Sequence, residues 1–529
     1  MSSKSSGNTM QAITDEINPV ASRIREIDAR AAYNDEVLLA EIGYKQELKR
    51  KFSTFQIFGI AFSIMGLLPS ISSTAASGLS SGPSGFLWSW LIASFFIFCV
   101  GLSISELGSA IPTSGGLYYW TYYYAPQKCR IVVSFVIGLS NSLALCSGLV
   151  SMSYGNAQEI LAAVYITKDG NFKVTQPKTY GVFACCVFTQ ALCTCLSSKK
   201  IALMQSVSYI CNTGLIVLFL IVLPVGTSIN RNGFNDAKFI FGTVQNYSDW
   251  PIGFQFFLSM MTAVWTIGGF DSCIHMSEEA KNASYGVPIG VCGSISFTGF
   301  LGFFIIICTT ACMDPEIIHL LESKTGFPMA QIIYDSLGKR WAIAMMSLIA
   351  VCQWFMGASL LASLSRQLWA FARDNALPFS SIVRVVDKRL KVPIRGILFG
   401  LIVALILGCL CLGGTTVAFA LFSLGVCGNY LAWGAPIFFK LTSGKDRFHP
   451  GSFYLGNLWS KVVGWIACLW CLFIIIITMI PSTKHVTKST MNYTVVIAGP
   501  FWILSIVYFY VYRKRFYHGP KSTIEFEYI

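Results

Sequence analysis

The stretch AVWTIGGFDSCIHMSEEA, residues 263–280, begins as an apolar membrane segment and is then interrupted. Gly268 and Gly269 stand side by side within it, and the acidic Asp271 follows two residues later. Glycine weakens a helix by about 1 kcal/mol relative to alanine, and a carboxylate in hydrocarbon is unfavourable. We therefore predict a helix that is broken inside a membrane, next to a polar site.

The rest of the chain has the composition of a membrane protein. Of its 529 residues 54% are hydrophobic and 12% are charged, whereas soluble domains average about 25% charged residues. A membrane-spanning helix needs about 20 apolar residues, and we count about twelve such runs. They lie near residues 55–77, 85–110, 131–163, 179–197, 201–226, 253–273, 287–312, 329–363, 394–413, 416–439, 460–480 and 490–512. We expect an all-α integral membrane protein with about 12 transmembrane helices.

The net charge of +13 reports the orientation of these helices. If both termini are cytoplasmic, 28 of the 38 Lys and Arg residues fall on the inner side and 10 on the outer side. That imbalance obeys the positive-inside rule. We therefore expect cytoplasmic termini, a lipid bilayer as the partner of the apolar surface, and no nucleic-acid partner.

Cysteine and histidine usage argues against a metal or a catalytic centre. Most of the 18 cysteines lie in apolar runs, where Cys behaves as a small hydrophobic residue. The chain has five histidines and carries neither an HExxH motif nor a nucleophile elbow. We expect no metal site, no cofactor and no enzymatic activity.

The ends of the chain are polar. We predict a cytoplasmic N-terminal tail over residues 1–50 that is largely disordered, and a cytoplasmic C-terminal tail over residues 514–529. Residues 34–51 could form a short amphipathic helix whose basic end lies on the inner leaflet, or could serve only as an orientation signal. In an expected outer loop, Asn246 matches the N-glycosylation pattern.

A second interruption lies in the first apolar run, FQIFGIAFSIMGLLPSI at residues 55–71, around Gly66 and Pro69. If residues 51–227 and 251–440 are inverted five-helix repeats, followed by trailing helices at 458–513, the breaks occupy corresponding positions. Paired interruptions of this kind point to the binding site of a secondary transporter. A single glycine could instead serve helix packing, but the coincidence of two breaks favours a site.

Broken helices supply a site for an anionic group without a buried cation. Free N–H groups and the positive end of the helix dipole face the cavity where each half-helix begins. The middles of both segments hold no Lys or Arg. Acids within the apolar runs are few, namely Glu106, Glu159 and Asp271.

Several longer stretches resemble the amino acid–polyamine–organocation superfamily. They are GLSISELGSAIPTSGGLYYWTYYYAP (101–126), TIGGFDSCIHMSEEAKNASYGVPIG (266–290) and SRQLWAFARDNALP (365–378). AEIGYKQELKRKFSTFQIFGIAFSIMGLLPSI (40–71) and KSTMNY (488–493) are similar to the fungal 4-aminobutyrate (GABA) permeases within it. The resemblance covers residues 40–520 or so.

This resemblance implies two inverted five-helix repeats, with helices 1 and 6 broken, and a proton-coupled uptake cycle. Carried onto this chain, it gives a substrate site at the two breaks. The expected binding residues are Ser63, Met65, Gly66, Leu67, Trp265, Thr266, Gly268, Gly269 and Phe270. The resemblance does not extend to the lysine that some bacterial relatives place in the fifth helix, because segment 5 holds only Asn212 at its middle.

Four further residues are expected to serve proton coupling or gating. Asp271 is the candidate proton carrier, since burial favours the protonated form of a carboxyl group, with a structural pairing as the alternative. Glu106 is its rival, for which we favour a structural or gate role. Glu279 is expected to pair with Arg373 or Arg366 as an inner gate, unless it belongs to a solvated run of charges.

The sequence therefore predicts a proton-coupled transporter of a small amino acid, with GABA as the expected substrate, in the plasma or the vacuolar membrane of a fungus. Putrescine or choline remains an alternative substrate, and a transporter-like amino-acid sensor an alternative function. A polyamine needs two anionic partners, whereas the core offers one well-placed acid, so an amino acid is favoured. Oligomeric state and coupling stoichiometry stay open.

Overall fold

The computed structural model describes residues 35–231, 233–323, 325–487 and 490–521. Within these ranges the regular structure is helical, and Phe52 and Ala280 form one isolated bridge. The expected tails at residues 1–34 and 522–529 lie outside the described residues.

Twelve helical segments follow one another, and we number them span 1 to span 12. Their bounds are Thr54–Met65 with Leu67–Leu79 (span 1), Gly82–Ala110 (span 2), Arg130–Thr167 (span 3), Gln176–Thr194 (span 4), Ser198–Asn230 (span 5), Ile252–Ser259 with Met261–Thr266 and Ser272–His275 (span 6), Ala283–Cys312 (span 7), Pro328–Arg373 (span 8), Ile394–Gly408 (span 9), Thr415–Leu441 (span 10), Asn457–Ile477 (span 11) and Thr494–Val511 (span 12). Short helices Gly116–Tyr124, Ala237–Gly242, Ile317–Leu321 and Ser380–Val383 lie in the connections.

Ten of the described segments are long and apolar enough to cross a membrane. The other two are span 4, which is more polar, and span 6, whose apolar part ends at Thr266. The all-α architecture with twelve spans is confirmed. Large apolar side chains such as Phe95, Leu203 and Val511 are exposed on its outside, where a bilayer would cover them.

The structure departs from the expected bounds most clearly in span 8. We expected an apolar run to end near residue 363 and a basic inner loop to begin at Arg366. The helix instead continues to Arg373, because Arg366 and Arg373 are buried against two carboxylates. Charges that are paired inside the protein do not mark the end of a helix.

The centre of the bundle is built around span 3, which packs along spans 8 and 10. Span 1 packs against spans 5 and 7, and span 2 packs against spans 7 and 11. The two broken spans lie within this arrangement, since the halves of span 1 contact spans 6 and 8. That residues 51–227 and 251–440 form inverted repeats stays a prediction.

The segment before span 1 is folded onto the protein. A helix covers residues 35–41 only, and the chain then runs on with Tyr44 and Leu48 buried. Arg50 donates to the backbone carbonyls of Ser277 and Ala280, at 3.1 and 2.8 Å. The expectation of a helix whose basic end lies on a lipid surface thus differs from the structure, because Arg50 binds backbone carbonyls between spans 6 and 7.

Candidate functional site

Span 1 is interrupted at Gly66, whose φ of +40° lies in the left-handed region that glycine adopts readily. The first bond of the second half-helix runs from Ser70 N to Gly66 O, at 2.8 Å. The N–H groups of Leu67 and Leu68 precede that bond and have no intrahelical acceptor. A Cβ on Gly66 would lie 1.9 Å from Met356 Sδ of span 8, so Met356 already fills the space beside this break.

Span 6 has a longer interruption. The last bond of its first part runs from Ile267 N to Ala263 O, at 2.8 Å, and pairing resumes from Ser272 N to Gly269 O, at 3.1 Å. The N–H groups of residues 268–271 therefore lie outside the helical bonding pattern. Four consecutive donors in this position resemble the N-terminal anion sites of helices.

The two breaks face each other. Gly269 has a φ of +74°, and a Cβ built on it would lie 2.5 Å from Cγ2 of Ile64. Because Ile64 lies two residues before Gly66, the unwound part of span 6 packs directly beside the break in span 1. A larger residue at Gly269 would meet both a backbone penalty and a steric one.

A cavity of about 30 Å³ lies at this junction. Its lining residues come from spans 1, 3, 6, 8 and 10: Ile64, Ala144, Leu145, Gly148, Met152, Val264, Trp265, Gly268, Gly269, Leu360, Gly425, Val426, Asn429, Tyr430 and Trp433. The volume corresponds to about one water molecule, so the site is narrow in this structure. Of the expected binding residues, the structure brings Trp265, Gly268 and Gly269 to the lining.

The other expected binding residues make different contacts. The Ser63 hydroxyl is hydrogen-bonded to Ser208 of span 5 and, at 2.9 Å, to Ser359 of span 8. Met65 Sδ accepts a bond of 3.1 Å from Thr298 Oγ1 of span 7. These side chains point from span 1 towards its neighbours and not into the cavity.

Three more expected residues lie near the cavity without lining it. Leu67 and Thr266 are fully buried, and Phe270 stacks on Trp433 with ring centroids 4.3 Å apart. Phe270 can therefore position an aromatic wall of the cavity through Trp433. The binding roles of all nine residues stay predictions.

The contribution of span 10 was not predicted. Asn429, Tyr430 and Trp433 line the cavity, and Asn429 can accept a hydrogen bond through its carbonyl oxygen. The signal was present in LGVCGNYLAWG, residues 424–434, where small and polar residues interrupt an apolar run. A polar side chain inside a membrane helix is a functional candidate by default.

Asp271 lies just beyond the cavity, at the end of the span 6 break. Its Oδ2 accepts a hydrogen bond of 3.2 Å from Asn141 Nδ2 and lies 3.5 Å from His275 Nε2. Its Oδ1 is buried and has no hydrogen-bond partner in the described chain. No Lys or Arg of the described ranges forms an ion pair with it, so Asp271 is a buried acid whose neighbouring base is a histidine.

Of the two expected partners of Glu279, the structure selects Arg366. Glu279 binds Arg366, with Oε1 2.8 Å from Nε, whereas Arg373 binds Glu278 through two bonds of 3.1 Å. Glu278 and Glu279 are neighbours in a 3₁₀ turn, where successive side chains diverge by about a third of a turn. Arg366 and Arg373 lie two helical turns apart on one face of span 8, so each takes a different carboxylate.

A second layer of polar contacts surrounds this pair. Tyr44 and Tyr118 both donate to Oδ2 of Asp374, at 3.0 and 2.7 Å, and the Arg373 guanidinium lies 3.8 Å from the Tyr44 ring centroid. Burial raises the pKa of the Asp374 carboxyl, although Arg373 opposes the shift, and burial also raises the pKa of both phenols well above 10.

Asp374 also accepts the N–H of Lys521, at 3.1 Å. The described N-terminal segment, through Tyr44, and the last described residue, Lys521, therefore meet at one carboxylate and lie on the same face of the bundle. We name it the terminal face, and we name the other side the opposite face.

Glu106 has a separate environment. It forms an ion pair with Lys440 of span 10 and accepts bonds from Ser460 Oγ, at 2.7 Å, and from Leu455 N, at 3.0 Å. It thereby ties span 2 to spans 10 and 11, away from the cavity. A structural or gate role for Glu106 stays a prediction.

Comparisons with known proteins agree with this geometry. The profile of the amino acid permease family matches residues 52–501. A GABA-specific permease of Saccharomyces cerevisiae is 56% identical over 506 residues, which are 95% of this chain and 89% of that protein. An uncharacterised amino-acid permease of Schizosaccharomyces pombe is 32% identical over 93% of this chain and 90% of its own. A candidate polyamine transporter of Candida albicans is 29% identical over 93% and 90%.

Proposed function

The chain belongs to the amino acid permease family, and from this premise we propose that it is a proton-coupled carrier of 4-aminobutyrate. Membership makes it a multi-pass integral membrane transporter and not an enzyme. The observation that carries the choice of substrate is the 56% identity, over 95% of the chain, to a permease named for GABA.

The facing breaks suit the two ends of this substrate. In the proposed complex, the N–H groups of Leu67, Leu68, Gly268 and Gly269 bind the carboxylate, as helix N-termini bind anions. The ammonium group lies against Trp265 or Trp433, where a cation–π contact contributes about 0.5–2 kcal/mol.

The charge of the site favours a substrate with one ammonium group. The cavity lining contains no Asp or Glu, and Asp271 is the nearby acid, reached through Asn429 and Asn141. A diamine such as putrescine would bury two positive charges against one carboxylate, and an unpaired buried charge is strongly unfavourable. A zwitterion supplies its own negative charge and leaves Asp271 for the proton.

The narrow cavity must enlarge during transport. At about 30 Å³ it is smaller than any of the three candidate substrates. The break in span 6 is the natural moving part, because residues 268–271 lie outside the helical bonding pattern and unwound segments can change conformation without breaking a helix.

We place the terminal face in the cytoplasm, in the plasma or the vacuolar membrane. Counted along the sequence, 28 of the 38 Lys and Arg residues fall in the two tails and in the loops expected on the same side as the tails, and cytoplasmic loops are the basic ones. The exposed Asn246 then lies in an extracytoplasmic loop, and its glycosylation stays a prediction.

Uptake into proteoliposomes tests the proposal. The purified protein is given labelled GABA, putrescine or choline, with and without an imposed pH gradient and with a protonophore as control. We expect GABA to accumulate only with the gradient. Faster uptake of putrescine or choline would reject the substrate, and gradient-independent GABA uptake would reject the coupling.

The variant Gly269→Val tests the placement of the site. The added side chain would strain the backbone at φ +74° and collide with Ile64, so we expect GABA binding to be lost. Gly253→Val is the matched control, because a Cβ at Gly253 of the same span meets nothing within 4 Å. Normal GABA affinity in Gly269→Val would move the site elsewhere.

A further inference from the structure

We propose that His275 shares the transported proton with Asp271, and that the backbone of Ser114 transmits the protonation state of this pair to the gate pair Glu278–Arg373. The inference rests on the proposed proton coupling and assigns it to particular atoms. It gives a role to a histidine that the binding site itself does not use.

The contacts of His275 fix where its protons can be. Nδ1 lies 3.0 Å from the backbone oxygen of Ser114, which can only accept, so Nδ1 carries a hydrogen. Nε2 is buried, has no hydrogen-bond partner in the described chain, and faces Oδ2 of Asp271 at 3.5 Å. Nε2 is therefore the atom that gains or loses a proton.

The pair is stable only with a proton between its members. Without that proton, a nitrogen lone pair and a carboxylate oxygen face each other, and the buried pair carries an uncompensated negative charge. Such a charge is strongly unfavourable in a low-dielectric interior. With the proton, the pair is neutral and can form the bond that the 3.5 Å separation leaves open.

Among the described residues, the side chains that contact the pair directly are neutral. Asn141 of span 3 and Asn429 of span 10 are neutral amides. Cys273 of span 6 donates its thiol proton to Ile57 O of span 1, at 3.5 Å, and is therefore neutral. On the side of Ser114, the charged groups are Glu278 and its partner Arg373.

An amide connects the pair to the substrate cavity. Nδ2 of Asn141 lies 3.2 Å from Asp271 Oδ2 and 3.3 Å from Asn429 Oδ1, and Asn429 lines the cavity. An ammonium group that bound Asn429 Oδ1 would displace the Asn141 amide towards Asp271. Substrate binding and proton binding therefore act on the same carboxylate oxygen.

The backbone of Ser114 connects the pair to the gate. Ser114 accepts from His275 through its carbonyl and donates from its N–H to Oε1 of Glu278, at 3.0 Å. Thr113 Oγ1 donates to the same oxygen at 3.1 Å. A charged imidazolium strengthens its bond to the Ser114 carbonyl, which belongs to the peptide unit next to the one that carries the Ser114 N–H. Binding of the proton therefore draws the Ser114 backbone towards His275, weakens its hold on Glu278 and releases the gate.

An ordinary core histidine does not fit these contacts. A buried polar atom is normally satisfied, and in the described residues His275 Nε2 and Asp271 Oδ1 both lack a hydrogen-bond partner. Glu159 is the rival proton site, since both of its carboxylate oxygens are also buried without a hydrogen bond. It lies in span 3 near the opposite face and has no comparable chain to the gate.

The variant His275→Asn tests the inference in proteoliposomes. Asparagine can keep the donor to Ser114 O but has no titratable atom facing Asp271. We expect loss of gradient-driven GABA accumulation and a flattened pH profile of uptake, while GABA exchange at equal pH continues. His319→Asn is the control, because His319 is exposed at the opposite face, and it should keep full gradient-driven accumulation.

The outcomes separate this inference from the proposed function. If the wild-type protein takes up GABA without responding to the pH gradient, the proposed coupling fails whatever His275 does. If the wild type responds and His275→Asn responds with the same pH profile, the role of His275 is rejected. Uncoupling by Glu159→Gln but not by His275→Asn would reject it in the same way.

A second measurement covers the case in which His275→Asn does not fold. His275→Gln fills a similar volume, and the change in bound protons on adding GABA is measured with a pH indicator in weakly buffered detergent solution. We expect a change in the wild-type protein and none in His275→Gln. Equal changes in both proteins would overturn the proposal.

Discussion

The two faces of the transport path are closed by different forces. On the terminal face, Arg366 and Arg373 bind Glu279 and Glu278 with side chains at most 4% exposed. On the opposite face, between the cavity and the loops, Trp265 and Phe422 meet with ring centroids 4.4 Å apart. One side is held by buried, directional charge pairs and the other by an aromatic contact.

This difference indicates which side opens more easily. Removing one partner of a buried ion pair destabilises a protein by about 3–5 kcal/mol, whereas an aromatic pair contributes about 0.5–1.5 kcal/mol beyond its buried area. Next to this aromatic contact the hydrogen bonds join neutral groups, such as Thr262 Oγ1 to Thr74 O at 3.0 Å. We infer that the protein opens first to the opposite face, and that the proton and the substrate together must release the terminal face.

Breaking the buried pair has the largest expected effect. Arg373→Met leaves Glu278 buried without its cation, and we expect a loss of about 3–5 kcal/mol of stability in thermal unfolding of the purified protein. The double variant Arg373→Met with Glu278→Gln removes the unpaired buried charge and should regain part of the lost stability.

The control for this prediction lies on the opposite face. Lys339 and Asp169 form an ion pair of 2.5 Å whose side chains are 38% and 70% exposed, so Lys339→Met should change stability by less than about 1 kcal/mol. Equal effects of Arg373→Met and Lys339→Met would contradict the proposed difference between the faces.

The second prediction concerns the layer around Asp374. Tyr44→Phe removes a donor to its carboxylate, and a hydrogen bond to a charged group contributes about 1.5–3 kcal/mol. Because this bond favours the ionised form, the variant should lose more stability at neutral pH than near pH 4, where carboxyl groups become protonated.

The pH dependence of the wild-type protein's stability follows from the same carboxyl group, that of Asp374. Burial raises the pKa of Asp374 above its ordinary value, so the folded protein holds this proton more tightly than the unfolded chain does. The stabilising contribution is complete below the ordinary pKa of about 4 and is lost as pH rises through the raised value. Asp374→Asn should remove this slope from a thermal unfolding series, and an unchanged slope would assign it to other groups.

The smallest expected effect is on the opposite face. Phe422→Leu keeps an apolar side chain but removes the ring contact with Trp265, which corresponds to a shift of about two- to tenfold in the equilibrium between closed and open forms. GABA exchange at equal pH should become faster by a factor in that range. Phe188→Leu is the control, because Phe188 lies in span 4 and is 53% exposed; an equal or larger effect there would contradict the role of the Trp265–Phe422 contact.

Some features of the site could be predicted from the amino-acid sequence and others could not. The breaks at Gly66 and Gly268–Gly269 were predictable, because glycine preferences act over a few residues. The four-residue spacing of Asp271 and His275 was also visible in the sequence, since residues four apart are neighbours on a helix. Because both residues follow the break at Gly268–Gly269, their pairing was not predicted. The partners Asn141 and Asn429 were not predictable, because they come from other spans.

The sequence by itself determined the twelve spans, the two interrupted helices and the basic side of the protein, because hydropathy, glycine and charge act locally along the chain. Only the tertiary structure decided that Glu278 takes Arg373 and Glu279 takes Arg366, that span 10 lines the cavity, and that residues 35–52 close the terminal face. Those choices depend on how each helix is rotated and tilted against its neighbours. Rotation and tilt are set by packing between residues distant in sequence, which an apolar run does not specify.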